Sequence, residues 1–314
     1  IIKKYFSKLS SKNKNSLRLN DDVFFDRSKK LVISVDTYVH KLHFFDFKDP
    51  NLVMKKILRS SISDLICKGV KPKYYFISGS GNKKTFTKSN LIKISQSLKQ
   101  EQKKFKIYIS GGDTVFSNNL SFTIISVGFS NNIIFRNKAK LNDDIYVTGN
   151  LGDSYTGLKI LKRKILLNKN LNKYFFKKYY LPELYLDLAK KLFNFANTSI
   201  DISDGLFSDL DKLINNQKLS YQVNLADIPI SKNLKKMIFL KKLKKIDFIS
   251  KGDDYQILFT ASKKKSRIIN KTFKSLGIKI SKIGNICIGS QKPQIIDEKG
   301  NKIAIKNKGY FHQF

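Results

Sequence analysis

The sequence is poor in several residue types, and each shortage excludes a class of protein. Its 314 residues include no tryptophan, two methionines, five prolines and two cysteines. The isolated cysteines, Cys67 and Cys287, exclude a disulfide framework and a cysteine-based zinc site. No run of about 18 consecutive apolar residues occurs, and the first residues lack the apolar stretch of a signal peptide. The sequence therefore predicts a cytoplasmic protein without a membrane span.

Acidic residues are scarce too. The chain has 24 aspartates and glutamates and 61 lysines and arginines, which gives a formal charge of +37. Such a charge by itself suggests a nucleic acid or an anionic membrane as partner. The lysines are spread over the whole chain together with abundant Ile, Asn, Phe and Tyr, a residue usage typical of an AT-rich genome. We therefore interpret the charge as a solvated basic surface and expect no nucleic-acid and no membrane partner. A basic nucleic-acid-binding protein stays open as the alternative from another class.

Aspartate dominates the few acids, because only three of the 24 are glutamate. Ten aspartates lie in compact motifs, and these are Asp21, Asp22, Asp36, Asp64, Asp113, Asp153, Asp201, Asp204, Asp253 and Asp254. Magnesium prefers oxygen ligands shared among carboxylates, water and substrate phosphates, and the short aspartate stem holds a carboxylate with little swing. Short carboxylates also cap helices and form Asx-turns. Clustered aspartates thus favour an enzyme that holds Mg²⁺ against ATP.

Strand and helix patterns alternate, which predicts an α/β (α+β) protein with two domains of mixed sheets flanked by helices. We place the domains at 1–139 and 140–314, because the segment from Asn137 to Asp144 is polar and lysine-rich. The expected strands are 31–38, 105–110, 121–129, 145–149, 199–203 and 255–260. The expected helices are 51–67, 89–103 capped by Ser89, one after Gly152, 182–195, one from Asp204-Gly205, 231–242 and 264–277, with a hairpin through 297–300.

Two motifs carry the strongest chemical signals. Ser34 and Asp36 are two residues apart on one predicted strand and so share a polar face, although a half-buried edge strand would have the same pattern. Asp201 and Ser203 obey the same rule, and Asp204 then begins a helix, whose free N–H groups attract phosphate. A simple N-cap is the alternative for Asp204. Because closely packed carboxylates repel each other, we also expect Asp204→Asn to relieve strain in the metal-free protein.

Other motifs are more ambiguous. Gly111-Gly112-Asp113 is predicted to end a strand and to let the backbone approach a ligand, although a tight turn has the same pattern. Asp64 lies on an amphipathic helix, where a solvated acid is unremarkable. His43 is a candidate for phosphate or substrate contact, and a partly buried structural histidine is the alternative.

The order of the motifs DD, S-x-DT, H-F, SDL, GGDT, R, TG-x-x-GDS, DISDGL, G-x-DY and G-Y-x-H resembles the bacterial thiamine-monophosphate kinases. That family belongs to the superfamily of aminoimidazole ribonucleotide synthetase and selenophosphate synthetase. The resemblance runs from Ile1 to Phe314. It implies that ATP gives its γ-phosphate directly to thiamine monophosphate, that several Mg²⁺ ions take part, and that the N-terminal domains form a homodimer.

The resemblance also implies roles for individual residues. The implied metal ligands are Asp22, Ser34, Asp36, Asp64, Asp113, Asp201 and Asp204. The implied nucleotide contacts are Gly112, Asp113, Arg136 and Ser203, the implied substrate contacts are His43 and Asp253, and the implied catalytic residues are Asp204, Asp113 and Arg136. An aromatic residue among Tyr310, Phe311 and Phe314 would lie against thiamine. Another enzyme of the superfamily with a different acceptor stays open as the alternative.

Overall fold

The computed structural model describes residues 2–290, 292–304 and 309–310, and they form two compact units. The first unit comprises Ile1–Ile66, Val70–Ile133 and Tyr180–Pro182. The second unit comprises Cys67–Gly69, Ile134–Tyr179 and Glu183–Phe314. The boundary placed at 139/140 from the sequence stays a prediction.

The first unit is built on a five-stranded sheet. Its strands are β1 (Phe24–Asp26), β2 (Leu31–Val39), β3 (Pro72–Gly81), β4 (Tyr108–Phe116) and β5 (Ser121–Phe129), in the order β1-β2-β5-β3-β4. The pair β3–β4 is parallel and the other pairs are antiparallel, so the sheet is mixed. The α-helices of this part of the chain are α1 (Pro50–Cys67) and α2 (Lys88–Phe105), and a π-helix (Ile2–Phe6) and a 3-10 helix (Lys14–Leu19) precede the first strand.

One face of this sheet is covered by α1. Ile124 of β5 is fully buried, and the Ser126 hydroxyl lies 2.9 Å from that of Ser61 on α1. Arg59 of α1 donates two hydrogen bonds, of 2.7 and 2.9 Å, to Glu101 of α2, and both side chains are buried. The alternation of buried and exposed residues along β2 and β5 leaves the opposite face open.

The second unit contains a seven-stranded sheet. Its strands are β6 (Asp144–Thr148), β7 (Thr198–Asp201), β8 (Leu219–Asn224), β9 (Ile257–Ala261), β10 (Ile280–Ile288), β11 (Gln294–Ile296) and β12 (Lys302–Ile303), in the order β12-β11-β8-β10-β6-β9-β7. Only β8 and β11 pair in parallel among these described strands. The predicted α/β class with two mixed sheets is confirmed.

Among the residues that the structure describes, six α-helices lie between or beside these strands. They are α3 (Asp153–Leu161), α4 (Lys169–Tyr180), α5 (Leu206–Leu213), α6 (Lys232–Leu240), α7 (Ile246–Ile249) and α8 (Ser266–Leu276). Strands β6 and β9 are buried along their whole length, and the apolar side of α5 packs with them into one core through Leu206, Leu210 and Leu213. That packing fixes the start of α5 relative to the end of β7.

Several predicted elements differ from the structure. The prediction of a helix at 182–195 is wrong, because only Ala189–Asn194 are helical there, and they form a 3-10 helix. Helix α2 is capped by Thr87, which accepts the Asn90 N–H, and not by Ser89. Because α2 continues to Phe105, the next strand begins at Tyr108 instead of 105. In the described part of the chain, no helix has both the length and the apolar character needed to cross a bilayer.

Candidate active site

In the first unit, Ser34 and Asp36 lie on the face of β2 that is turned towards α1. The Ser34 side chain is buried, and its hydroxyl donates a hydrogen bond to the Asp64 carboxylate of α1. Asp64 is half-buried, so the interpretation as a solvated surface acid is wrong. The structure therefore brings together three of the predicted metal ligands from two elements.

Asp22, which precedes β1, adds a further carboxylate near Asp36. Burial raises the pKa of Asp36 to about 6, the negative charge of Asp22 acts in the same direction, and the Tyr38 hydroxyl at 3.2 Å opposes both. A carboxylate with a raised pKa is one whose charge is poorly compensated. A bound cation would provide that compensation.

Asp113 lies on the opposite, open face of the same sheet. In the strand register Asp113 pairs with Ser78, Ser78 with Thr123, and Thr123 with Thr37. Paired residues share a face, and Thr37 follows Asp36 directly, so Asp36 and Asp113 point to opposite sides. Within one chain the sheet therefore separates Asp113 from Asp36, and the role of Asp113 as a metal ligand stays a prediction.

The glycines before Asp113 have a structural explanation. The predicted end of the strand at this motif is wrong, because β4 continues to Phe116. A Cβ on Gly112 would lie 1.8 Å from the carbonyl oxygen of Ile77 on β3. Close packing of the two strands thus requires the glycine, whether or not a nucleotide approaches it.

His43 is held by the backbone of β2. The Val39 N–H donates a 2.9 Å hydrogen bond to Nδ1, and the imidazole meets the Tyr38 ring edge-on, with the ring centroids 6.1 Å apart. Because Nδ1 accepts, the neutral ring carries its proton on Nε2 and presents a donor there. The ring is half-buried, and its proposed contact with substrate stays a prediction.

In the second unit, the sequence from Asp201 to Gly205 connects β7 to α5. Asp201 is buried at the end of the strand. The carboxylate of Asp209 accepts the backbone N–H groups of Asp204 and Gly205 at 3.0 and 3.1 Å, from within α5. Asp209, and not Asp204, therefore accepts the hydrogen bonds of the backbone N–H groups at the start of the helix. The interpretation of Asp204 as a simple N-cap is wrong.

Lys212 bridges Asp204 and Asp209. Its ammonium donates to the Asp204 carboxylate and, at 2.9 Å, to Oδ1 of Asp209. Burial raises the pKa of Asp209 to about 6, against the effect of Lys212. Burial lowers the pKa of Lys212, but the two carboxylates outweigh this, and the pKa is raised. Since Asp204→Asn would remove an ion pair, the expected relief of strain in the metal-free protein no longer follows.

Sequence reasoning did not include Asp209 and Lys212 among the functional residues. A signal was present, because the two are three residues apart on a helix and such neighbours lie on one face. Lys212 is eight residues from Asp204 along the chain, and this spacing did not indicate that their side chains make contact.

The segment around Asp253 packs directly on this turn. The Asp253 N–H donates to the Ser203 carbonyl at 2.8 Å, and the Tyr255 N–H donates to the Ile202 carbonyl at 2.9 Å. The Tyr310 N–H donates to the Asp204 carbonyl at 2.9 Å. The structure thus brings Ser203, Asp204 and Asp253 together, and their roles stay predictions. Phe311 and Phe314, the other aromatic candidates, lie outside the described residues.

Arg136 lies on a loop that is fixed on both sides. The Phe135 carbonyl accepts the Thr198 hydroxyl at 2.7 Å, and the Asn137 N–H donates to the Leu213 carbonyl at 2.8 Å. Arg136 is therefore carried near the start of β7 and the end of α5. Its side chain is half-buried.

The glycine turn that precedes α3 is held by the carboxylate of Asp254. Asp254 accepts the N–H groups of Gly152 and Ser154, at 2.8 and 3.4 Å, where α3 begins. Burial raises the pKa of Asp254 well above its ordinary value, against the effect of these two hydrogen bonds. The start of α3 is thus occupied, which supports a structural role for this turn.

The predicted metal ligands are chemically suited to magnesium. Across residues 2–290, 292–304 and 309–310, no three or more His, Cys, Asp or Glu side chains form a group arranged for a metal ion. Magnesium typically takes one or two carboxylates and completes its shell with water and substrate phosphates. The Ser34, Asp36 and Asp64 oxygens fit that requirement and would need a polyphosphate to complete it.

The sequence of the chain is similar to those of known proteins over nearly its full length. Residues 19–130 match the family described as AIR synthase related protein, N-terminal domain. The thiamine-monophosphate kinase of Buchnera aphidicola subsp. Schizaphis graminum (strain Sg) is 35% identical over 327 aligned residues, which cover 99% of this chain and 97% of the relative. The enzyme of the same name from Buchnera aphidicola subsp. Acyrthosiphon pisum (strain APS) is 34% identical over 99% of this chain and 97% of its own length.

The fold is shared with a solved structure, AaThiL complexed with AMPPCP and TMP. The TM-score is 0.83, with 24% identity, and the match covers 97% of this chain and 95% of that chain. The shared fold and the full-length sequence identity agree with each other. The chain belongs to the thiamine-monophosphate kinase family.

Proposed function

We propose that the protein transfers the γ-phosphate of ATP to thiamine monophosphate and forms thiamine diphosphate. The observation that carries this proposal is the full-length relationship to thiamine-monophosphate kinases. The AaThiL complex, whose ligands are AMPPCP and TMP, supports the same pair of substrates.

In the first unit, Asp22, Ser34, Asp36 and Asp64 would hold the magnesium of Mg–ATP. Their oxygens come from β2, α1 and the segment before β1, so secondary structure fixes their spacing. Bound Mg²⁺ would neutralise charge on the phosphate oxygens. The raised pKa of Asp36 means that this carboxylate must lose its proton before it can serve as a ligand.

In the second unit, Asp201, Ser203 and Asp204 would act together with Arg136. The two carboxylates would bind metal, while the Ser203 hydroxyl and the guanidinium would contact the nucleotide. Asp253 of this unit would contact thiamine monophosphate, and so would His43 of the first unit, with its Nε2 proton as donor. The acceptor phosphate is already an anion at neutral pH, so in-line positioning is what the residues must provide, and we assign no general base.

The open face of the first sheet supports a homodimer. Val35 is 61% exposed and Phe76 is 37% exposed on this face, and Val115 of the edge strand β4 is 48% exposed. Apolar residues at such exposure favour contact with another surface, and a second copy offers an identical one. Asp113 points to the same side, so in the dimer it would serve a site at the interface.

Light scattering coupled to size-exclusion chromatography tests the dimer. The wild type should elute at twice the mass of the chain, and Val35→Lys should shift it to the monomer, while Lys218→Glu, in the second unit, should not. A wild type that is monomeric at micromolar concentration would contradict the proposal.

A comparison of acceptors tests the activity. With Mg–ATP, thiamine monophosphate should be phosphorylated and unphosphorylated thiamine should not, because the acceptor atom is a phosphate oxygen. A preference for thiamine, or for an unrelated phosphate, would move the chain to another activity of the superfamily. We also propose a cytoplasmic location, in keeping with two cysteines that form no disulfide.

A further inference from the structure

Lys212 stands between two carboxylates with different surroundings. Asp209 has a fully buried side chain and is committed to the backbone N–H groups of Asp204 and Gly205. The Asp204 side chain is 30% exposed, and its carboxylate is bound by the ammonium of Lys212. The lysine side chain is itself 34% exposed. Asp209 thus anchors the lysine, and the lysine holds the one carboxylate that solvent can reach.

We propose that Lys212 is an internal counter-ion of Asp204 that opposes divalent cation binding there and so sets the cation concentration the protein needs. The inference rests on the proposed function, because it takes Asp204 as a metal ligand. Lys212 is a positioning residue in this account, since it acts on the cation through Asp204.

Electrostatics predicts opposite effects for the two neighbours of Asp204. Removing the lysine charge makes the surroundings of Asp204 more negative, so a divalent cation should bind more tightly. Removing the Asp209 charge leaves the ammonium uncompensated next to Asp204, so the cation should bind more weakly. For a partly exposed ion pair the expected change is about threefold to fivefold in each direction. A lysine that served only to hold the helix turn would instead loosen the site in both variants.

The test is calorimetric titration with Mn²⁺ alone, without nucleotide or thiamine monophosphate. The Mn²⁺ binding that is lost in Asp204→Asn is the binding that depends on this carboxylate. Lys212→Met should lower the Kd of that part about fivefold, and Asp209→Asn should raise it about threefold. The asparagine at 209 can still accept the two backbone N–H groups, so this variant should fold even if Lys212→Met does not.

Two further variants serve as controls. Lys212→Arg keeps the charge and should bind Mn²⁺ like the wild type. Lys218→Met removes the same charge from an exposed lysine six residues along the chain and should have no measurable effect. In an Asp204→Asn background, Lys212→Met should no longer change Mn²⁺ binding, because the carboxylate that links them is gone.

Weaker or unchanged Mn²⁺ binding in Lys212→Met would overturn the proposal, as would tighter binding in Asp209→Asn. If Asp204→Asn binds Mn²⁺ like the wild type, Asp204 is not a ligand and the proposal fails on its premise. Failure of the proposed function is a separate result, since it appears as a wild type that makes no thiamine diphosphate from thiamine monophosphate and ATP.

Discussion

Gly252 offers the sharpest test of how the candidate site residues of the second unit are held in place. It adopts φ +73°, and a Cβ added there would lie 2.2 Å from the carbonyl oxygen of Ser203. Gly277, at the end of α8, adopts φ +62°, and a Cβ there would meet nothing within 4 Å. The two glycines therefore share a backbone conformation and differ in what surrounds them.

Alanine at either position should cost about 1 kcal/mol for the left-handed backbone. At Gly252 the backbone must also move by about 1 Å to relieve the contact with Ser203, which should add about 2 kcal/mol. Thermal melts should therefore show a Tm about 4–8 °C lower for Gly252→Ala than for Gly277→Ala. Because the shift would move Ser203 and its neighbours, Gly252→Ala should also lose about a hundredfold in kcat/KM. Equal Tm shifts, or full activity in Gly252→Ala, would refute the reasoning.

Three further predictions concern the first unit. His43→Ala should raise the KM for thiamine monophosphate about tenfold and leave that for ATP nearly unchanged, and an equal effect on both would return His43 to a structural role. Arg59→Met should lower the free energy of unfolding by about 3–5 kcal/mol in urea titrations, because it leaves the buried Glu101 charge uncompensated. Asp36 has a folded pKa of about 6, above its unfolded value, so the metal-free protein should lose stability as pH rises from about 4 to about 6. Asp36→Asn should flatten this pH dependence of stability, and an unchanged slope would contradict the assigned cause.

Local pattern was enough to predict much of the fold. The alternation in β2 and β5 and the helical spacing of α1 led to elements that the structure has at nearly the same residues. The errors have physical causes. Helix α4 was not predicted, because half of its residues are lysine or asparagine and obscure the helical spacing of Leu171, Phe175 and Tyr179. The segment expected to be a helix at 182–195 is mostly irregular. Strands β3, β8 and β10 were not predicted at all, because Gly79 and Gly284 interrupt the patterns of β3 and β10, and β8 is only six residues long.

The candidate site could be predicted only in part, because its chemistry depends on contacts between distant residues. Spacing alone placed Ser34 and Asp36 on one face. No local pattern could show that Asp64 accepts the Ser34 hydroxyl, or that Asp113 lies on the opposite face of the sheet, since strand order and register decide both. The Lys212 contact likewise appears only when α5 is set against the turn before it.

Following the label from [γ-³²P]ATP tests the central claim most directly. Purified protein with Mg²⁺, labelled ATP and thiamine monophosphate should yield thiamine diphosphate that carries the label in its β-phosphate, with one ADP formed for each product molecule. AMP as the nucleotide product, label retained on the protein, or no labelled thiamine diphosphate would contradict direct transfer of the γ-phosphate to thiamine monophosphate.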